Sequence, residues 1–184
     1  MLAFEIKNIA VEFATSPDLF SPKSLDSGTK LLLEEISKND YNNAQILDWG
    51  CGWGAMALWL GKAYSTSQVT GIDSDIGAVM VAKQNAALND LTNVDIMASH
   101  GFSEISENNF DLIVSNPPTH RGREVVEQMI AESFNKLKTN GTLTIVAEAR
   151  LKPWVYKQMK QVFGECKIIQ RGKKHVVLSS SKML

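Results

Sequence analysis

The sequence is poor in the residues on which small secreted or metal-held domains depend. Of its 184 residues only two are cysteine, Cys51 and Cys166, and only three are histidine. Cysteines this far apart make no disulfide framework or metal knuckle, and read as free thiols in a reducing cytosol. The histidines lack metal-ligand spacing, so no metal site is expected. No run of about 18 apolar residues occurs, which excludes a spanning helix. The start, Met1-Leu2-Ala3-Phe4-Glu5, has no basic segment ahead of an apolar one. No signal peptide is expected, and the cytoplasm is the expected location. Internal repeats, low-complexity tracts and Pro/Gly/Ser linkers are also missing, so one domain over 1–184 is expected.

What is present is ordinary globular material, 44% hydrophobic and 21% charged. A chain of this length buries roughly 70% of its unfolded surface, enough for a core without cross-links. The net charge of −1 conceals an asymmetry: residues 1–120 hold 6 Lys/Arg against 15 Asp/Glu, and 121–184 hold 13 against 5. A basic face for a polyanion can therefore be assembled from the carboxyl-terminal part, with Arg150, Lys152, Arg171, Lys173 and Lys174 as its candidates. The alternative is that the charges mix on the folded surface. Trp154 and the methionines read as core or packing residues.

Periodicity gives the architecture. Residues 3–14 suggest a short strand pair, and Thr29–Ile36 a helix. Strand-like runs at Gln45–Trp49, Gln68–Ile72, Val94–Met97, Asp111–Ser115 and Thr142–Ala147 are separated by helical runs at Gly54–Tyr64, Ser74–Asn89 and Glu124–Leu137. Such alternation means crossover connections and a mostly parallel, doubly wound α/β sheet. The chain closes with a helix at Pro153–Phe163 and strands at Cys166–Gln170 and His175–Ser180. Two apolar runs joined so closely form an antiparallel hairpin.

Two segments carry chemistry. Asp48-Trp49-Gly50-Cys51-Gly52-Trp53-Gly54 runs from a strand straight into a helix. Its glycines allow a tight turn and a close approach to a ligand, and the helix N-terminus beyond favours an anion. At the end of the next strand Asp73, followed by Ser74, is placed to accept hydrogen bonds from ribose hydroxyls. The glycine spacing is that of neither the dinucleotide fingerprint nor a P-loop. The second segment, Ser115-Asn116-Pro117-Pro118-Thr119-His120, ends the fourth strand of the sheet, at the edge where ligands bind. The prolines hold the backbone extended and remove donors, leaving stiffly presented carbonyls. The Asn116 side-chain oxygen and the Pro117 carbonyl can then take both hydrogens of a planar amine and aim its nitrogen.

The strand-ending Asp48, the G-C-G-x-G loop and Asp73 resemble the S-adenosylmethionine site of Rossmann-like methyltransferases. On that resemblance Asp48, Gly50, Cys51 and Gly52 hold the methionine end, Asp73 and Ser74 the ribose, and Ser99 and His100 lie by the adenine. Many relatives have an acidic residue at that last position. Asn-Pro-Pro-aromatic is the signature of amine-directed N-methyltransferases, with Thr119 here in the aromatic's place. It implies catalytic roles for Asn116 and Pro117, Asn116 also touching cofactor, and target contacts from Pro118 and Thr119. His120, or Phe20 from a loop, is a candidate for stacking on the target.

Leu19-Phe20-Ser21-Pro22-Lys23-Ser24-Leu25-Asp26-Ser27-Gly28-Thr29, together with Ala98-Ser99-His100-Gly101-Phe102-Ser103, is similar to the bacterial small-subunit ribosomal RNA guanine-amine methyltransferases. The resemblance implies a class I fold with a mostly parallel seven-stranded sheet and a terminal antiparallel hairpin. In this scheme residues 1–44 form strand pair, lid and helix, and 45–184 the cofactor-binding core. It further implies S-adenosyl-L-methionine as cofactor and RNA, probably ribosomal RNA or the small subunit, as partner. Arg121 and Arg123 then lie near the target. Two other functions stay open: methylation of a protein glutamine amide, and a cofactor-binding module without catalysis.

Overall fold

A computed structural model describes residues 2–15, 24–117 and 122–183. The expected strand pair is the hairpin β1 (Leu2–Ile6) and β2 (Ile9–Phe13). It turns at Lys7 and Asn8, whose φ of 52° and 63° suit a two-residue hairpin turn. Helix α1 (Ser27–Ile36) starts two residues earlier than periodicity suggests, because the Asp26 carboxylate caps it through the amides of Gly28 and Thr29.

The core alternates as expected: β3 (Gln45–Trp49), α2 (Ala55–Ala63), β4 (Gln68–Asp73), α3 (Ile76–Leu88), β5 (Val94–Ala98), β6 (Phe110–Ser115), α4 (Arg123–Lys136) and β7 (Leu137–Glu148). Then follow a 3-10 turn at Ala149–Leu151, α5 (Lys152–Phe163), β8 (Lys167–Arg171) and β9 (His175–Ser181). Two boundaries of this core move by more than one residue, for physical reasons. Asp75 caps α3 and starts it at Ile76 rather than Ser74. Leu137 leaves α4 to pair with Phe110, so β7 begins five residues before the apolar run.

The seven-stranded sheet has the order β5-β4-β3-β6-β7-β9-β8. All neighbours from β5 to β7 are parallel, and β9 is antiparallel to both β7 and β8. Strand alternation divides the core. Ile46, Leu112, Val114, Val146 and Val177 pack with Leu32, Leu33, Leu58 and Val79 of α1 to α3. Leu47, Ile113, Leu143, Ile145 and Leu178 pack on the other face with Val126, Met129, Val155 and Met159 of α4 and α5. Met56, Met129 and Met159 are buried as expected, whereas Met80 and Met183 are exposed. No helix among the described residues is long and apolar enough to cross a membrane.

From β3 the chain proceeds to β4 on one side and later to β6 on the other. The sheet therefore reverses direction between β3 and β6, and the crevice outside those carboxyl ends is where open α/β sheets bind ligands.

Candidate active site

A cavity of about 570 Å³ opens at that reversal. One end is built by the loop after β3. Gly50 and Gly52 have φ of 75° and 56°, and the space a Cβ would fill at either is open. The loop is pinned from below: Gly50 and Cys51 donate to the Ile72 carbonyl at 2.8 and 2.9 Å. Asp73 accepts from Gly52 N and, with its other oxygen, from Asp75 N, both at 2.9 Å. The amino-terminal hairpin braces the same loop, since Phe13 stacks on Trp53 at 4.2 Å between centroids. Fully buried Asn85 adds bonds to the Trp53 and Ala14 carbonyls.

Asp48 lies beneath the loop and not on the cavity wall. It is fully buried, one oxygen accepts from Ala57 N at 2.9 Å, and burial pushes its pKa up to about 8. Its other oxygen and the buried indole N–H of Trp49 have no partner among the described residues. Such orphaned groups await a ligand or water. Burial likewise holds the Cys51 thiol well above its usual range, so it lines the cavity as a neutral group.

Ser99 and His100 also line the cavity. Ser99 is tied inward, donating to the Gly101 carbonyl at 2.8 Å while its amide donates to the Asp73 carbonyl. The carboxylate that the sequence lacks here comes from α4: Glu132 Oε2 sits 3.3 Å from where a Cβ of Gly101 would be. Gln128 fixes Glu132 through a 2.7 Å bond to its second oxygen.

Asn116 and Pro117 form the other part of the wall with Leu25, Asp26 and Thr29. The Asn116 Nδ2 donates to Asp26 Oδ2 at 2.9 Å and to Thr29 Oγ1 at 3.0 Å. A carboxylate only accepts, so the amide must present its NH2 to Asp26 and keep its oxygen as the acceptor. Sequence spacing hid this contact, which spans 90 residues. Glu148 and His175, also missed, line the same cavity, as does Arg150, expected only as part of a basic face. Arg123 does not line it: its guanidinium stacks over the half-buried Trp154 at 5.3 Å. Phe20, Pro118, Thr119, His120 and Arg121 lie outside the described residues.

The methyltransferase small domain model matches residues 10–179. The chain belongs to that family of S-adenosylmethionine-dependent methyltransferases. It is 30% identical over 183 residues to the uncharacterized Bacillus subtilis protein YbxB, covering 98% of this chain and 90% of that one. It is 36% identical to ribosomal RNA small subunit methyltransferase C of Actinobacillus pleuropneumoniae, covering 89% of this chain and 50% of the relative. The T. thermophilus 16S rRNA N2 methyltransferase RsmC, solved with AdoMet and guanosine, superposes with a TM-score of 0.90 at 25% identity. That match covers 98% of this chain and 50% of RsmC. The chain thus spans about half the length of the ribosomal RNA methyltransferases it matches.

The residues present fit the cofactor. The open glycine cradle, the orphaned Trp49 and Asp48 groups, Asp73 and Glu132 offer places for a carboxylate, an ammonium, a ribose and an adenine amine.

Proposed function

We propose that this protein methylates an exocyclic amine of RNA, namely guanine of small-subunit ribosomal RNA. The observation that carries the reading is Asn116, whose amide is held with its oxygen as acceptor, in the cavity that Pro117 and the glycine loop also line. Gly50, Cys51 and Gly52 would hold the methionine end over the Asp48 and Trp49 groups, Asp73 with Ser74 the ribose, and Ser99, His100 and Glu132 the adenine. When bound, S-adenosylmethionine supplies a sulfonium methyl, so the amine lone pair forms the N–C bond while the S–C pair returns to sulfur.

An exocyclic amine is a poor nucleophile because its lone pair is delocalised into the ring. Asn116 Oδ1 and the Pro117 carbonyl take its two hydrogens and fix the nitrogen's direction. No strong base is needed, since the nitrogen becomes acidic as the bond forms and loses one proton to water. Positioning of this kind contributes up to about 7–11 kcal/mol in well-oriented systems.

The choice of RNA is supported by the names of the relatives and by the basic rim. Lys173 and Lys174 are exposed in the β8–β9 turn, and the Lys174 carbonyl accepts from Ala149 N at 2.8 Å, which brings that turn beside Arg150. Guanine is supported by the guanosine in the T. thermophilus relative's structure.

The test is transfer of labelled methyl from S-adenosylmethionine to RNA, DNA and protein from cells lacking the gene, with naked ribosomal RNA and assembled small subunits assayed separately. Label is expected in RNA as an amine-methylated guanosine, reduced on the order of 10²–10³-fold by Asn116→Ala. Label in protein, or none despite measured cofactor binding, overturns the reading.

A further inference from the structure

The wall of the cavity beside α1 carries groups that methyl transfer alone does not require. Glu148 ends β7 and is the cross-strand partner of His175 on β9. Arg150 donates to both Glu148 oxygens, from Nε at 2.6 Å and from Nη2 at 3.2 Å. Ser27 Oγ lies 3.3 Å from His175 Nδ1, and the preceding residue, Asp26, holds Asn116. This chain of contacts links Glu148 and Arg150 to the amide that receives the target amine. Hydrogen bonding to Arg150 also holds the Glu148 carboxyl below its usual range, so it remains an acceptor at neutral pH.

We propose that Glu148 and Arg150 read the Watson–Crick edge of the target base and make the site selective for guanine, an inference that rests on the amine-methylation reading above. Guanine presents in sequence its 2-amine, the N1 hydrogen and O6: two donors and an acceptor. The protein presents the complement. Asn116 and Pro117 accept from the amine, Glu148 accepts from N1–H, and Arg150 donates to O6. A carboxylate has lone pairs beyond those Arg150 uses, and a guanidinium has five donors, so neither group must leave the ion pair. Adenine and cytosine each place an unprotonated ring nitrogen beside their amine. Glu148 meets a lone pair in both, so that acceptor faces acceptor once the base covers it. Sites built to hydrogen-bond a substrate group reject analogues lacking it by as much as about 10⁴–10⁵. Glu148 and Arg150 side chains are 43% and 72% exposed, which leaves them open to an entering base.

The guanosine mapped by the transfer experiment is placed in a synthetic RNA stem-loop, either as guanine or as 2-aminopurine. The analogue keeps the 2-amine but has neither the N1 hydrogen nor O6. Single-turnover rates are measured for the native protein, Glu148→Gln and Arg150→Met, with the melting temperature of each. The native protein should favour guanine on the order of 10²-fold or more. Glu148→Gln should raise the 2-aminopurine rate, because its amide can donate to N1, and narrow the preference by about tenfold or more. Arg150→Met should lower the guanine rate and leave the 2-aminopurine rate unchanged. An unchanged ratio in a folded Glu148→Gln protein that still methylates guanine overturns the proposal and leaves amine methylation standing. If Glu148→Gln fails to fold, Arg150→Met decides by the same ratio. Absence of any labelled guanosine removes the underlying reading, and this inference with it.

Discussion

Replacing Asp26 by serine separates holding a helix from holding an amide. A single oxygen, Oδ2, accepts from Gly28 N at 2.9 Å, Thr29 N at 3.0 Å and Asn116 Nδ2 at 2.9 Å. Serine caps helices about as well as aspartate, so stability should fall by less than about 1 kcal/mol. The contact with Asn116 changes in kind. A carboxylate admits only the NH2 side of the amide, whereas a hydroxyl also donates and lets the amide turn over. Hydrogen bonds to charged groups contribute about 1.5–3 kcal/mol. At about 1.4 kcal/mol per tenfold, full loss of orientation lowers kcat by roughly 10–150-fold. Thr29 Oγ1 remains as a second acceptor at 3.0 Å, so Asp26→Ser alone should fall in the lower part of that range. Adding Thr29→Val should bring it to the upper part. Single-turnover methyl transfer to unmethylated ribosomal RNA, calorimetric cofactor binding and thermal melting test this together, with cofactor affinity expected to stay unchanged. A double variant within about twofold of the native kcat refutes the orientation argument. So does a rate loss that tracks a stability loss above about 2 kcal/mol, because Asp26 then acts through the fold alone.

Two further outcomes follow from the floor of the site. Burial raises the Asp48 pKa to about 8 from an ordinary 3.8, so the native state holds a proton that the unfolded chain has released between those values. Stability should therefore fall as pH rises through that window, by up to about 1.4 kcal/mol per unit. Asp48→Asn should flatten this fall in urea titrations from pH 5 to 9, and parallel curves for the two proteins refute the assignment. Separately, a Cβ at Gly71 meets Ile96 Cδ1 at 2.5 Å and Cys51 Sγ at 3.3 Å. Gly71→Ala should cost about 1–3 kcal/mol by overpacking and weaken cofactor binding through the Cys51 loop. Ile96→Val, which removes the clashing methyl, should restore part of both; no recovery in melting or calorimetry counts against this packing account.

Local features were legible in the sequence. The glycine loop, Asp73 and Asn116-Pro117 are contiguous motifs at strand ends, and β/α alternation alone places strand ends along one edge of a sheet. Contacts made by topology were not legible. Asp26 reaches Asn116 because α1 packs against β7 and β9, and no pattern within residues 24–36 announces a partner 90 positions away. Glu132 supplies an acid at the Ser99–Gly101 loop from a helix on a different crossover, where a search along the β5 end finds only Ser99 and His100. Helix starts were misjudged where Asp26 and Asp75 cap, because apolar periodicity marks buried positions and a cap is a polar event outside them.

The placement of β9 between β7 and β8 has a consequence for how the protein is made. Residues 45–101 supply the glycine loop, Asp73 and the Ser99–Gly101 loop, and their strands β3, β4 and β5 pair only with one another or with β6. The wall bearing Glu148 takes its neighbour from His175, and β8 has no strand to join until β9 is in place. Chains emerge from the ribosome amino end first. The strands under the glycine loop can therefore pair while the chain is still growing, and the Glu148 wall gains its neighbour only when the last strand arrives. On the methyl-transfer function proposed above, the strands under the methyl donor's methionine and ribose are thus paired before the strand that completes the wall facing the target.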